Sequence, residues 1–212
     1  MNLVLIKKLY IMNKRDTITY KGYEIETFYD EGCESPNEWG NDEQFLIYDH
    51  NQFYVNRDGF SGKIIFDDFI NGKKLYKGFY MVPVFAYIHG GVSLSISKDS
   101  YPFTCGFDTS FKGFVLIKRM KGCYSRERAL EQAEGLIETW NMYLSNEIYG
   151  YSSEVGSCWG FYGDSGYKEM IADAKSEIDY AIENKIKEHL GKLKGYIKNK
   201  VSLIYRKSCS FA

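Results

Sequence analysis

The apolar pattern changes period partway along the chain, and that change limits the folds open to it. Up to about residue 120, apolar side chains tend to alternate with polar ones or run in short blocks bounded by turn residues, as in strands. Beyond Ser125 they recur every three or four residues, as on one face of a helix. Strands first and helices second predict an α+β fold: a mostly antiparallel sheet in residues 1–122, packed with two long amphipathic helices in residues 123–212. With 212 residues, one domain is expected.

Within the first part, residues 17–29 read as strand around a Lys21-Gly22 turn. Residues 45–48 and 52–55 flank the polar break Asp49-His50-Asn51. Residues 79–88 form the longest apolar run. Pro83 inside it predicts an edge, a bulge or an irregular start, because proline cannot donate to a ladder. After His89-Gly90-Gly91, residues 92–97 alternate cleanly, and 111–118 form a further strand. In the second part Ser125 is an N-cap, with Glu127 in the first turn of a helix over about 126–146. A Gly/Ser/aromatic loop is expected over 149–166. A second helix starts near Tyr167 with the apolar line Ile171, Ala174, Ile178, Ile182, Ile186, Leu190, Leu193 and Ile197.

The aromatic count, 19 Tyr, 14 Phe and 3 Trp, suits a sheet-rich body and supplies rings for an interface. The net charge of −1 is a cancellation. Residues 24–68 hold twelve Asp/Glu against Arg57 and Lys63, and residues 185–207 hold eight Lys/Arg against Glu188. The basic tail comprises Lys192, Lys194, Lys198, Lys200, Arg206 and Lys207, and nucleic-acid contact through it is a minor possibility. No run of eighteen apolar residues is present, so no spanning helix and no membrane partner are expected. Residues 1–12 read as a first strand, or as a stretch upstream of a start at Met12, rather than as a signal peptide. The five cysteines, Cys33, Cys105, Cys123, Cys158 and Cys209, contain no CxxC pair, which predicts reduced thiols in a cytoplasm. No metal site and no cofactor are expected, since His50, His89 and His189 are scattered and no P-loop, GxGxxG or HExxH occurs.

Three stretches could carry chemistry. In ESPNEWGN (34–41), Trp39 is a candidate anchor, with Glu38, Asp42 and Glu43 as partner-binding carboxylates; alternatively Trp39 caps the end of the sheet. His89, Cys105 and Asp108 are the parts of a nucleophile–base–orienter set if a turn brings them together; otherwise they serve the turn and the core. Cys158 lies in GSCWGFYG (156–163), locally similar to the nucleophile segment of papain-like cysteine peptidases. That likeness stops there, because Ser152 stands where those enzymes carry their oxyanion-hole glutamine.

Taken in order, several motifs between Tyr20 and Gly163 resemble a family of phage- and prophage-encoded accessory proteins with no settled activity. They are Tyr20-Lys21-Gly22-Tyr23, Glu34-Ser35-Pro36-Asn37-Glu38-Trp39, and Pro83-Val84 with Tyr87, His89 and Gly91. Phe103-Thr104-Cys105 before Asp108-Thr109 follows, then Tyr143-Leu144 with Glu147-Ile148-Tyr149-Gly150-Tyr151, and Ser157-Cys158-Trp159-Gly160-Phe161-Tyr162-Gly163. Family members often carry Asp before the histidine and Trp before the later aspartate; here those positions are Ile88 and Phe107. The resemblance implies a bacterial host cytoplasm. Together with the missing catalytic motif, the segregated charge and the aromatics in polar loops, that setting favours a protein that binds and inhibits or redirects a host or phage factor, with a defence component as the expected partner. A small hydrolase or transferase using His89, Cys105, Asp108 or Cys158 is the alternative.

Overall fold

The computed structural model describes residues 13–96, 103, 108–119, 125–202 and 205. The fold is α+β, built on two antiparallel sheets. Residues 1–12, Cys105, Cys123, Cys209, Arg206 and Lys207 lie outside the described residues.

The first sheet begins as the expected hairpin, β1 (Lys14–Tyr20) and β2 (Tyr23–Tyr29). Lys21 and Gly22 both have positive φ, the backbone a tight two-residue hairpin turn demands. The second sheet comprises β3 (Gln44–His50), β4 (Phe53–Val55), β5 (Leu75–Tyr76), β6 (Phe79–Ile88), β7 (Val92–Ile96) and β8 (Thr109–Lys118). Both of its faces are covered, which is why 45–48 is a continuous apolar run rather than an alternating one. Leu46, Tyr48, Val115 and Ile117 pack under α2 (Arg126–Leu144), while Phe45, Ile47, Phe114 and Leu116 pack with α1 (Gly62–Ile70) on the other side. The sequence reading contains no α1; nine residues buried through Ile65 give little periodicity to detect.

Pro83 sits in a central strand, not at an edge. On one side β6 pairs along its length with β8, and on the other β5 takes Phe79–Tyr80 and β7 takes Val84–Ile88. Pro83 falls in the interval between those two partners, next to a register shift at Val84/Phe85.

Ser125 caps α2, its Oγ accepting from the Arg128 N–H. The expected loop over 149–166 is instead a hairpin, β9 (Ile148–Ser153) and β10 (Ser157–Tyr162), followed at once by α3 (Gly163–Lys200). It adds to β1–β2 as a four-stranded sheet of order β1-β2-β9-β10, so the helical part of the chain also supplies half a sheet. Tyr149, Tyr151 and Ile25 pack against Met170, Ala174 and Ile178 of α3 on one face.

Two asparagines close exposed ladder groups. Asn37 gives Nδ2 to the Leu46 carbonyl (2.7 Å) and accepts the Leu46 N–H (2.9 Å). Asn141 on α2 does the same for Leu94 of β7, at 2.9 and 2.7 Å. Each side chain stands in for a missing strand.

Candidate functional site

The face of the four-stranded sheet turned away from α3 gathers most of the motif residues. Along β2, Glu24, Glu26 and Phe28 point to it, followed by Asp30. Gly150 of β9 leaves the space that the Trp159 ring fills; a Cβ there would lie 2.0 Å from Trp159 Cε3. Trp159 also meets Phe28, with ring centroids 5.8 Å apart. Gly160, at φ 85°, forms a bulge that keeps Trp159 and Tyr162 on this same face. Tyr162 then receives the edge of Trp39 at 5.3 Å, joining the acidic loop to the end of β10. Trp39 is 48% exposed and Trp159 36%. The end of α2 reaches the Trp39–Tyr162 end of this face, while α3 lies on the opposite face.

Behind Trp39 lies a polar corner that the sequence reading did not single out: Asp30, Cys33, Tyr143 and Tyr162. Burial raises the Asp30 carboxyl above its usual range, partly offset by N–H groups of Gly32 and Gly160. Burial also pushes the Cys33 thiol up, and the Asp30 charge adds to that; a hydrogen bond with Tyr162 opposes it. Tyr162 is raised by burial and then by Cys33, and Tyr143 by burial and then by Cys33 and Glu38. The corner therefore holds a protonated thiol and two protonated phenols at neutral pH, suited to hydrogen bonding rather than to nucleophilic attack. ESPNEW and SCWGFYG were both legible as motifs; that they meet was not.

The acidic loop is more committed to its own fold than the sequence suggested. Glu38 Oε2 accepts the Ser35 N–H at 2.8 Å in a capping box around the single 3-10 turn Pro36–Glu38. Asp42 is paired with Arg57, whose guanidinium lies 4.5 Å over the Phe45 ring and donates to the Asn41 carbonyl. Glu43 is exposed. Of the four expected partner contacts, Trp39 and Glu43 present themselves freely.

In the turn between β6 and β7, His89 Nδ1 stands 3.4 Å from Asp108 Oδ2. A carboxylate thus reaches the histidine across β6 and β8, although Ile88 precedes it in sequence. The pair is held where the Ile88 N–H donates to the Asp108 carbonyl (2.8 Å), and the imidazole side chain is 71% exposed. Thr109 and Ser110 begin β8, so that strand starts two residues before the expected 111–118. Cys158 is not at a helix N-terminus: it lies in β10 and packs with the core under α3. Lys192, Lys194, Lys198 and Lys200 are exposed on α3.

Among the described residues no three His, Cys, Asp or Glu side chains are grouped to hold a metal ion. An open cleft of about 330 Å³ between β7 and α2, lined by Val92, Glu138, Asn141, Met142 and Glu147, includes none of the expected site residues. Compared with models of known protein families, with curated proteins and with solved structures, the chain matches none of them.

Proposed function

We propose that this protein works by binding: it inhibits or redirects a host factor, as a phage accessory protein acting against a defence component. The observation that carries the reading is the sheet face opposite α3, on which Trp39 and Trp159 are partly exposed beside Glu24, Glu26 and Asp30. Large rings that keep a third to a half of their surface in water are the side chains that dominate binding energy at interfaces. Glu26 already pairs with Lys14 at 2.6 Å, so the exposed Glu24 and Glu43 are the carboxylates that select a basic partner surface and steer its approach. The phage setting and the cytoplasmic location rest on the motif resemblance.

The test is recovery of a partner from host cells by the intact protein, followed by the same recovery with Trp39→Ala and Trp159→Ala together. Loss of the partner with the fold retained supports this face as the interface. Retention at unchanged yield moves the interface elsewhere.

The His89–Asp108 contact favours a second reading, a small hydrolase or transferase with Cys105 as nucleophile; Cys158, packed under α3 on the other sheet, does not share that pair. It requires the Cys105 thiol to alkylate with iodoacetamide at pH 6 far faster than an ordinary cysteine, and His89→Ala to slow that reaction. Slow alkylation of Cys105 sinks it.

A further inference from the structure

The long helix α3 has two halves with different surroundings. Its first half is buried against the sheet through Met170, Ala174 and Ile178. Every residue from Glu183 to Lys194 is exposed, and beyond Lys185, which donates to the Tyr23 hydroxyl of β2, the distal half runs on to Lys200 for roughly 22 Å at 1.5 Å per residue. The apolar line nevertheless continues. Ile186, Leu190, Leu193 and Ile197 fall within an arc of roughly 60° at 3.6 residues per turn, and the first three are 54%, 44% and 41% exposed. Tyr196, 63% exposed, borders the arc.

Lysines line both sides of that stripe: Lys187, Lys194 and Lys198 on one flank, and Lys192 on the other, where Lys185 instead donates to the Tyr23 hydroxyl of β2 at 2.9 Å. Two of them have partners on the same helix, Lys187 with Glu183 (3.6 Å) and Lys192 with Glu188 (2.6 Å), both exposed pairs of small energetic weight. After Glu188 the sequence contains no further Asp or Glu. A second copy of the helix, parallel or antiparallel, would set lysine rows against lysine rows. A nucleic acid would satisfy the lysines and leave the stripe in water. An anionic bilayer surface satisfies both, with the stripe among the acyl chains and the lysine stems reaching back to the phosphates.

We propose that residues 186–200 of α3 form an interfacial anchor for bilayers rich in anionic phospholipid. This departs from the expectation of no membrane partner, and it needs no span: among the described residues no helix is long and apolar enough to cross a membrane, and an anchor of this kind lies in the surface. The proposal is independent of the Trp39–Trp159 face.

The experiment is co-sedimentation of the full chain with phosphatidylcholine vesicles, with and without about a third phosphatidylglycerol. Partitioning should rise about tenfold or more with the anionic lipid and fall as salt is added. Leu190→Glu with Leu193→Glu should abolish it, and Lys194→Glu with Lys198→Glu should remove the preference for anionic lipid. Both variants change exposed positions, so their thermal melts should match the parent. Equal sedimentation with both vesicle types overturns the proposal, as does binding that survives the double leucine substitution. A dimer in light scattering that the leucine variant dissolves, without vesicle binding, assigns the stripe to a second copy instead. Tight RNA or duplex DNA binding without vesicle binding also overturns it.

Discussion

Gly150 and Trp159 face each other across the β9–β10 hairpin, and the absence of a side chain at one is the reason for the position of the other. Gly150→Ala forces the indole off the strand, an overpacking cost of about 1–3 kcal/mol. Chemical denaturation should show that loss, and tryptophan fluorescence should shift to the red; an unchanged spectrum and midpoint would place the ring elsewhere. Cys33 offers a second test at this scale. Its thiol titrates above the ordinary value of 9.0, so less of it is thiolate at any given pH than in an unfolded chain. Alkylation of Cys33 should therefore be slower at pH 8 in the native protein than in the denatured one, and its rate should keep climbing beyond pH 9.0. A native rate equal to the denatured one contradicts the buried corner. Neither the glycine's partner nor the thiol's was legible in the sequence, because both lie across strand pairs rather than along the chain.

The elements were legible where period and capping agree. Lys21-Gly22, the Ser125 cap and the β6–β7 turn all stand where the residues predict them. The hairpin at 148–162 was read as a loop because its glycines resemble loop glycines. Here Gly150 makes room for a ring, and Gly160 makes a bulge. Period alone also does not report burial. Ile178 and Leu190 belong to one apolar line on one helix, yet Ile178 is fully buried and Leu190 is 44% exposed. Ile178→Ala should cost about 2–5 kcal/mol, the loss of a core side chain and the cavity it leaves. Leu190→Ala should stay within about 0.5 kcal/mol of the parent. Comparable losses from both would mean that the distal half of α3 is covered in the folded monomer.

At the scale of the whole molecule the two sheets differ in how they are assembled and covered. The six-stranded sheet is built from one contiguous stretch of chain between β3 and β8, and helices cover both faces. The four-stranded sheet joins β2 to β9, pairing Phe28 with Gly150 across more than a hundred residues, and has α3 on one face. It pairs strands that flank the whole six-stranded sheet in sequence, and its core cluster is the smaller one. Where the motifs meet, the Asp30 N–H to Ile148 carbonyl and Gly163 N–H to Glu147 carbonyl bonds extend the ladders of the four-stranded sheet itself, and the Glu147 N–H to Met142 carbonyl bond joins it to the end of α2. With so little backbone bonding to the rest of the described residues, the four-stranded sheet should open below the global unfolding free energy, as a sub-global unit. Native-state hydrogen exchange tests this directly. Amides of β3, β6 and β8 should be the slowest, and those of β2 and β9 should exchange faster by a common factor, each tenfold corresponding to about 1.4 kcal/mol. Equal protection in the two sheets would show that residues 13–200 unfold as a single cooperative domain. Faster exchange in β2 and β9 would mean that the Trp39–Trp159 face can be lost while the larger sheet stays folded, and a partner seated on that face should then slow exchange in β2 and β9 more than anywhere else.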